Sequence, residues 1–283
     1  MAIPGCFGIG NRRVIRHKLI HHFTVGACFF LSLQTPAVGQ GAAPPASDPQ
    51  ALAIASKAIT ALAGRQSLAD VTMTGSVTWS TGEDQSQSGT ATLRALGTSE
   101  SRMDLALPEG TRSEIRDAQT GGPLGRWTNP DNSSGDFAAH NCWTDAAWFF
   151  PAFSSLAGGK NAVLAYVGLE DHDGQSVQHL RSYQFQISAS AGPSINPQQL
   201  STMDFYLDAA TFLPVAIDFD AHPDNNATAN IPIEIEFSNY QTVGGVVVPM
   251  HIQRYQQGLL MIDIQVTSVS FNAGLPLSLF AIS

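Results

Sequence analysis

Two residues in the middle of the chain carry side chains that could bind a metal or act in catalysis. His140 and Cys142 stand two positions apart, and an imidazole near a thiolate occurs both in zinc sites and in thiol-dependent enzymes. A zinc site needs three or four ligands, and the surrounding sequence has neither a second cysteine nor a His-x-His pair. We therefore interpret Cys142 as a small buried residue, and we predict no metal ligand or catalytic residue here.

Acidic residues form two further candidate groups. The segment Asp171-His172-Asp173-Gly174 is a fragment of a calcium-loop pattern, but it lacks the third oxygen ligand and the distal glutamate. An Asp-Gly step between two strand-like segments is typical of a tight turn. Glu234 and Glu236 lie two positions apart, so they share one face of a strand, and we interpret them as solvated surface.

Sequence motifs for common enzyme classes are absent. The chain contains no Gly-x-Ser-x-Gly nucleophile motif and no phosphate-binding loop. The sequence therefore predicts a protein that is not an enzyme, with no cofactor and no metal.

A cluster of aromatic residues is the strongest candidate for a ligand site. Six of them fall between Phe137 and Phe153, on more than one face of any helix, so they must be buried on several sides or contact an apolar ligand. We predict that five form a lid that contacts ligand: Trp143, Trp148, Phe149, Phe150 and Phe153. The alternative is that these rings only plug the core and leave no cavity.

The elements that must position this cluster are strands with alternating apolar and polar residues. The clearest series runs from Ser201 to Phe271, where five segments repeat with a period of two. Such alternation is typical of antiparallel strands with one apolar face and one wet face. Six further strands are predicted upstream, four in residues 69–119 and a hairpin across residues 162–188, which gives about eleven strands in total.

Two helical elements are predicted besides the strands. Asp48 or Ser47 can cap a helix that has Pro49 in its first turn and ends at Gly64. A second helix is predicted from Asp136 to Pro151, because Asp136 can serve as its N-cap and the strand rhythm stops there. The predicted class is α+β, with an N-terminal helix and a helical lid inserted among the strands.

The N-terminal region is predicted to be an export signal. Four basic residues precede an apolar run of about ten residues, which is too short to span a bilayer. We therefore expect residues 1–39 to be a signal peptide, residues 40–47 a linker, and residues 48–283 a single domain. The segment around Cys28 resembles a lipobox, so lipidation of Cys28 is an alternative, although the apolar run lies mostly after this residue.

The charge of the exported chain excludes one class of partner. Without residues 1–39 the chain has 10 Lys and Arg residues against 23 Asp and Glu residues, a net charge of −13. Phosphate backbones would repel such a protein, so nucleic acid is not an expected partner.

The order of elements resembles the LolA/LolB-like carriers, a group that includes LppX, LprG and the N-terminal domain of RseB. Two phrases carry the likeness, Met203–Asp208 with Leu213-Pro214-Val215, and Tyr240–Met250. The resemblance implies an unclosed half β-barrel whose mouth is covered by helices inserted between strands, and an exported protein of the cell envelope. No individual site residue is carried over from the family.

Three functions follow as hypotheses. The first is a periplasmic or secreted carrier that binds lipid or the acyl chains of lipidated proteins in an apolar cavity, with an envelope membrane protein as a further partner. The second is a protein-binding sensor or assembly module with the same fold and a filled interior. The third is a hydrolase whose titratable groups meet only in the folded chain.

Overall fold

The structure is a computed structural model that describes residues 45–82, 85–117, 124–154, 156, 162–185 and 196–282. The predicted signal peptide (1–39) and most of the predicted linker lie outside these residues. Among the described helices, none is both long and apolar enough to cross a membrane. The elements in chain order are α1 Pro49–Ala63, β1 Asp70–Gly82, β2 Gln85–Leu96, β3 Glu100–Leu107, β4 Gly110–Asp117, β5 Leu124–Thr128, β6 Ser134–Asp136, β7 Ala162–His172, β8 Gln175–Gln184, α2 Pro197–Ser201, β9 Met203–Asp208, β10 Pro214–Ala221, β11 Ile231–Val243, β12 Val246–Gln256 and β13 Leu259–Phe271.

All the described strands belong to one open antiparallel sheet. The sheet has 13 strands in the order β6-β5-β4-β3-β2-β1-β13-β12-β11-β10-β9-β8-β7. The first six strands and the last seven each form a meander, and the two meanders join where β1 pairs with β13. The two free edges, β6 and β7, are therefore consecutive in the chain, and the segment that connects them has to pass from one edge to the other.

The prediction of about eleven strands is wrong by two. The strands that it lacks are β5 and β6, which have five and three residues. They lie at the edge of the sheet, beside a loop rich in Asn, Asp and Ser, and are too short to show an alternating pattern.

Helix α1 forms as predicted. The Asp48 side chain accepts a hydrogen bond from the Gln50 backbone N–H at 2.7 Å, and Gly64 ends the helix with a φ of 61° and an N–H bond to Thr60. The buried face consists mainly of small residues, which lets α1 pack closely against β7 and β12.

The sheet curls strongly, so that distant strands meet across its concave face. Strands β4 and β12 are separated by five strand intervals, which is about 24 Å in a flat sheet. A guanidinium nitrogen of Arg254 on β12 nevertheless lies 3.5 Å from a carboxylate oxygen of Glu114 on β4. The structure is thus an open half-barrel rather than two flat layers, and the buried apolar side chains of both meanders share one core.

Gly75 lies at the irregularity where the two meanders join. The register between β1 and β13 shifts between Thr74 and Gly75, and a β-bulge of this kind increases local bending. A Cβ atom on Gly75 would lie 2.0 Å from the Gln265 carbonyl oxygen, whereas a Cβ atom on Gly168, at a similar shift in β7, would meet no atom within 4 Å.

We predict that Gly75→Ala destabilises the protein and that Gly168→Ala does not. The new methyl group at position 75 has to displace the backbone of β13, which should lower the free energy of unfolding by about 1–3 kcal/mol. Urea denaturation of both variants measures the difference. Equal midpoints for the two variants would show that the close approach of β1 and β13 is not a constraint.

Candidate functional site

The aromatic insert (residues 137–154 and 156) lies over the concave face of the sheet. Phe149 and Phe150 are fully buried, and Trp148 and Phe153 are 7% and 5% exposed. Trp143 is only half-buried. Four of the five predicted lid residues are therefore part of the core, and Trp143 lies at its margin.

The predicted helix in this insert is wrong. Asp136 belongs to β6, where its carboxylate pairs with Arg126 at 3.0 Å, so it does not cap a helix. The chain then forms short 3-10 turns at Ala139–Asn141 and Pro151–Phe153, joined by bends and turns. Trp148, Phe149 and Phe150 are consecutive and all buried, which a helix with a single buried face does not allow.

Ring contacts hold the second half of the insert together. Trp148 and Phe149 pack edge to face with centroids 5.6 Å apart, and Phe150 packs against Phe153 at 5.0 Å. Phe150 also contacts Phe271 on β13, with a centroid distance of 5.9 Å. Each such aromatic pair contributes about 0.5–1.5 kcal/mol beyond its burial.

Hydrogen bonds anchor the first half of the insert to both meanders. The Asn141 side chain bonds to His222 twice, accepting from its N–H at 2.7 Å and donating to its carbonyl at 2.8 Å. Arg116 on β4 donates to the Thr144 carbonyl at 3.0 Å, and Gln184 on β8 donates to the Trp143 carbonyl at 3.3 Å. The insert therefore bridges the two halves of the sheet across its mouth.

A group of charged residues lies inside the half-barrel, where the sequence predicted none. Glu114 is paired with Met103, and Arg112 with Leu105, so these β4 side chains lie on the apolar inner face. The Arg112 guanidinium is bound to the Glu114 carboxylate and lies 5.3 Å from the Trp79 ring. On the far side, Arg254 lies between Glu114 and Trp148, with its guanidinium 5.2 Å from that ring. We call Arg112, Glu114, Arg116 and Arg254 the inner ionic cluster.

The charge balance of the inner ionic cluster favours an ionised Glu114. Burial alone would raise the pKa of Glu114, but the positive charges of Arg112 and Arg254 hold it below its ordinary value. Burial lowers the pKa of Arg254, and Glu114 offsets part of this effect. The Glu114 carboxylate can stay ionised at this buried position only because guanidinium groups surround it.

A small cavity lies between the inner ionic cluster and the aromatic insert. Its volume is about 120 Å³, which is less than the 300–1,000 Å³ typical of pockets for small organic ligands. The lining comes from β3, β4, β10, β12, α2 and the insert, and it includes Met103, Arg116, Trp148, Phe149, Leu200 and Arg254. Four rings of the insert, those of Trp148, Phe149, Phe150 and Phe153, are buried in the core beside this cavity.

Pattern alone could not reveal the inner ionic cluster. The spacing of Arg112, Glu114 and Arg116 places them on one strand face, but it does not say which face points inward. The inward orientation follows only from the pairing of β4 with β3. The hairpin turn at residues 108–109 sets a register in which the apolar residues Met103 and Leu105 lie opposite Glu114 and Arg112.

His140 and Cys142 do not form a catalytic pair. The His140 ring bonds to the Pro223 carbonyl at 3.0 Å. Cys142 is buried, and burial raises the pKa of its thiol, which disfavours the reactive thiolate. The interpretation of Cys142 as a small buried residue of the insert agrees with this geometry.

On the outer face of the sheet, Glu234 lies close to His172 and Asp173. The interpretation of Glu234 as solvated surface is therefore corrected. This side chain is 32% exposed and its carboxylate lies 3.5 Å from His172 Nε2, rather than being fully solvated. The His172 ring stacks on Tyr206 at 4.1 Å. Ligand atoms of His172, Asp173 and Glu234 lie within 4.8 Å of one another, close enough for one cation, although Asp171–Gly174 is the tight turn that was predicted.

Asp218 lies close to Glu234, and its surroundings destabilise the ionised form of its carboxyl group. Burial and the negative charge of Glu234 raise the pKa of Asp218 to about 6, and a bond with Tyr206 opposes part of this shift. Because the folded state favours the protonated carboxyl, Asp218 contributes most stability below its ordinary pKa of about 3.9. That contribution is lost as the pH rises through about 6.

We predict that Asp218→Asn stabilises the protein more at pH 8 than at pH 4.5. The amide imitates the protonated carboxyl, so the difference in urea midpoint between variant and wild type should be small at pH 4.5 and grow toward pH 8. Asp224→Asn, at an exposed carboxylate in a nearby loop, is the matched control. A difference that stays constant with pH would contradict the raised pKa.

Comparison with known proteins identifies the fold. The sequence matches no protein-family model, and no curated protein matches it. Among the solved structures that match are three with TM-scores above 0.5. A domain assigned to outer membrane lipoprotein sorting from Vibrio parahaemolyticus has a TM-score of 0.53 and 12% identity, covering 81% of this chain and 95% of that one.

The other two structures are a LolA superfamily protein and a DUF1329 family protein. The LolA superfamily protein, from Nitrosomonas europaea, has a TM-score of 0.52 and 11% identity, over 82% of this chain and 97% of that one. The DUF1329 protein, from Desulfovibrio piger, has a TM-score of 0.53 and 10% identity, over 84% of this chain and 98% of that one. These matches confirm the predicted resemblance as a shared fold: the chain has the open half-barrel fold of the LolA superfamily.

Proposed function

We propose that this protein is an exported, non-enzymatic carrier that shields acyl chains of a lipid or a lipidated protein on the concave face of its sheet. The observation that carries the proposal is the aromatic insert, which covers an apolar concave face and is attached to it by side-chain contacts. The likeness to a lipoprotein-sorting domain and a LolA superfamily protein supports the same role.

Apolar side chains on the inner face of the sheet would provide the free energy for binding an acyl chain. Val248, Ile252 and Ile264 are among the fully buried side chains of this face, and they belong to the same core as the rings of the insert. Burial of each methylene of an acyl chain contributes about 0.8 kcal/mol. A chain that replaces the rings of the insert on this face would therefore recover much of the apolar contact that the rings give up.

Uptake of a whole acyl chain at the cavity described above would require the insert to move. A volume of about 120 Å³ holds a few atoms of a ligand rather than a whole acyl chain. The insert crosses from β6 toward β7, so its displacement would open the mouth of the half-barrel without breaking the pairing inside either meander. Trp143, Trp148, Phe149, Phe150 and Phe153 are the residues that we propose contact the ligand as the insert opens.

Localisation and domain organisation form part of the proposal. Residues 1–39 would act as a signal peptide that directs the chain to the periplasm or to secretion. Residues 40–47 would be a linker and residues 48–283 the carrier domain. An envelope membrane protein would then be the donor or acceptor of the cargo.

A second candidate function is favoured by the burial of the insert. Because four of its rings belong to the core, the same fold could serve as a protein-binding sensor or assembly module that never takes up lipid. In that case the insert would be a permanent part of the core, and binding would use the outer surface.

We predict that the protein co-purifies with lipid when the full chain is produced with its own signal in a bacterial host. Native mass spectrometry and solvent extraction should find acyl-containing molecules bound at near-stoichiometric amounts, because an apolar concave face gains free energy by excluding water. A purified protein that carries no lipid and takes up none from vesicles would favour the protein-binding module.

We predict that Asn141→Ala accelerates the uptake of a fluorescent fatty acid. The substitution removes the two hydrogen bonds that tie the insert to His222, which should lower the barrier to opening by about 1–2 kcal/mol and raise the uptake rate about 5- to 30-fold. Stopped-flow fluorescence measures this rate.

The matched control is Asn226→Ala. Asn226 lies in the loop that follows β10, as His222 does, and accepts two hydrogen bonds, both from Thr228. Its loss should leave the uptake rate unchanged. If both variants take up the fatty acid at the wild-type rate while Asn141→Ala is destabilised, the insert is a structural plug.

A further inference from the structure

In the part of the interior that the structure describes, the inner ionic cluster carries more positive than negative charge. The inner ionic cluster contains three guanidinium groups and one carboxylate, that of Glu114. Asp220 also borders the cavity, but it alternates with the core residues Phe219 and Ala221, so its side chain is on the outer face. The described inner-face side chains of the cavity therefore bring Arg116 and Arg254 together with a single counter-ion.

Arg112 and Arg254 share that counter-ion, because each lies beside a different oxygen of the Glu114 carboxylate. The Arg112 guanidinium is bound to this carboxylate and also to the Asn129 amide oxygen. Arg254 reaches the same carboxylate only at 3.5 Å, longer than a hydrogen bond to a charged group. Arg116 donates to a neutral acceptor, the Thr144 carbonyl. Within the inner ionic cluster, three guanidinium groups therefore share one carboxylate, and such an excess of buried positive charge is costly in a low-dielectric site.

The remaining lining of the cavity suits the end of an amphiphile. Met103, Phe149, Leu200 and Phe219 provide apolar contacts on one side, where a hydrocarbon chain would continue. Ser101, Asn141 and Thr144 add polar groups near the two arginines. The cavity volume of about 120 Å³ is enough for a carboxylate or a phosphate group, because a cavity of about 10–15 Å³ already holds a water molecule.

We propose that this cavity is a headgroup site for an anion, a carboxylate or a phosphate, carried on an apolar chain. Arg116 and Arg254 bind the anion, and the chain leaves the cavity along the apolar face as the insert opens. This inference rests on the proposed carrier function and specifies its ligand class. Guanidinium groups match both anions in geometry, because their planar N–H donors can bind two oxygens at once.

Such a site would also couple the ligand to the insert. Arg254 stacks on Trp148 and Arg116 holds the Thr144 carbonyl, so both arginines already contact the insert. An anion that draws these guanidinium groups toward itself would weaken both contacts. The headgroup would thereby favour release of the insert that has to move for the chain to enter.

The test compares two ligands with the same chain length, one with an anionic and one with a neutral head group. Binding of dodecanoate and of 1-dodecanol to the wild-type full chain is measured by calorimetry at pH 8 and fixed salt, where the carboxylic acid is ionised. We expect dodecanoate to bind about tenfold more tightly or better. Arg116→Gln and Arg254→Gln should each reduce this preference toward equality while leaving the affinity for dodecanol within about twofold.

Arg126→Gln is the matched control variant. Arg126 pairs across strands with Ile115, which alternates with Glu114 and Arg116 and so lies on the outer face, and its partner Asp136 is exposed. This variant should keep the wild-type preference. A preference that falls equally in all three variants would indicate a general effect of net charge and would overturn the proposed site.

The remaining outcomes separate this inference from the carrier function. Equal affinity of the wild type for acid and alcohol would overturn the headgroup site and leave the carrier function standing, even if the inner variants fail to fold. Binding of neither ligand would overturn both. Inorganic phosphate that binds as tightly as dodecanoate would identify a free anion as the ligand and would overturn the role of the chain.

Discussion

The structure depends on one constraint, which is that a curled sheet with two free edges cannot cover its own apolar face. A closed barrel buries this face by pairing its last strand with its first, but here β6 and β7 remain apart as the ends of a 13-strand sheet. The segment between these two strands is therefore in the right place to cover the gap. Its rings complete a core that neither meander can complete alone.

The same constraint explains why the insert has so little regular structure. A helix presents one face to a sheet, whereas the mouth of this half-barrel surrounds the insert with β3, β4, β10, β12 and α2. Rings that point in several directions fill such a space better than a single apolar stripe. The proposed opening uses this property, because turns and bends can rearrange without breaking a helical hydrogen-bond ladder.

The inner ionic cluster places charged side chains in an otherwise apolar interior. Binding of an acyl chain by the proposed carrier would not require these charges. Replacement of buried ion pairs by well-packed apolar residues is often neutral or stabilising in proteins, so such charges are weak contributors to stability. Charges placed in the core are better explained by selectivity for a ligand than by the stability of the fold. On the outer face, Asp218 and Glu234 also lie close together, and the imidazole of His172 is 3.5 Å from the Glu234 carboxylate.

Sequence pattern predicted the elements of this fold better than their orientation. Alternation located eleven strands because one face of each is buried, and the cap at Asp48 and the stop at Gly64 located α1 because both act within a few residues. The edge strands β5 and β6 are held by their neighbours rather than by their own pattern. The inner face of β4 depends on pairing with β3, and the shape of the insert depends on the mouth that it fills. These features arise from contacts between distant parts of the chain.

The pairing of β1 with β13 sets the order in which the protein can fold. Val71 and Phe271 are partners at the centre of the sheet, so the two meanders cannot join until nearly the whole chain is available. Contacts of such long sequence separation have a high entropic cost and form slowly. The hairpins within each meander are local, but the joined sheet cannot form before the last strand of the chain is available.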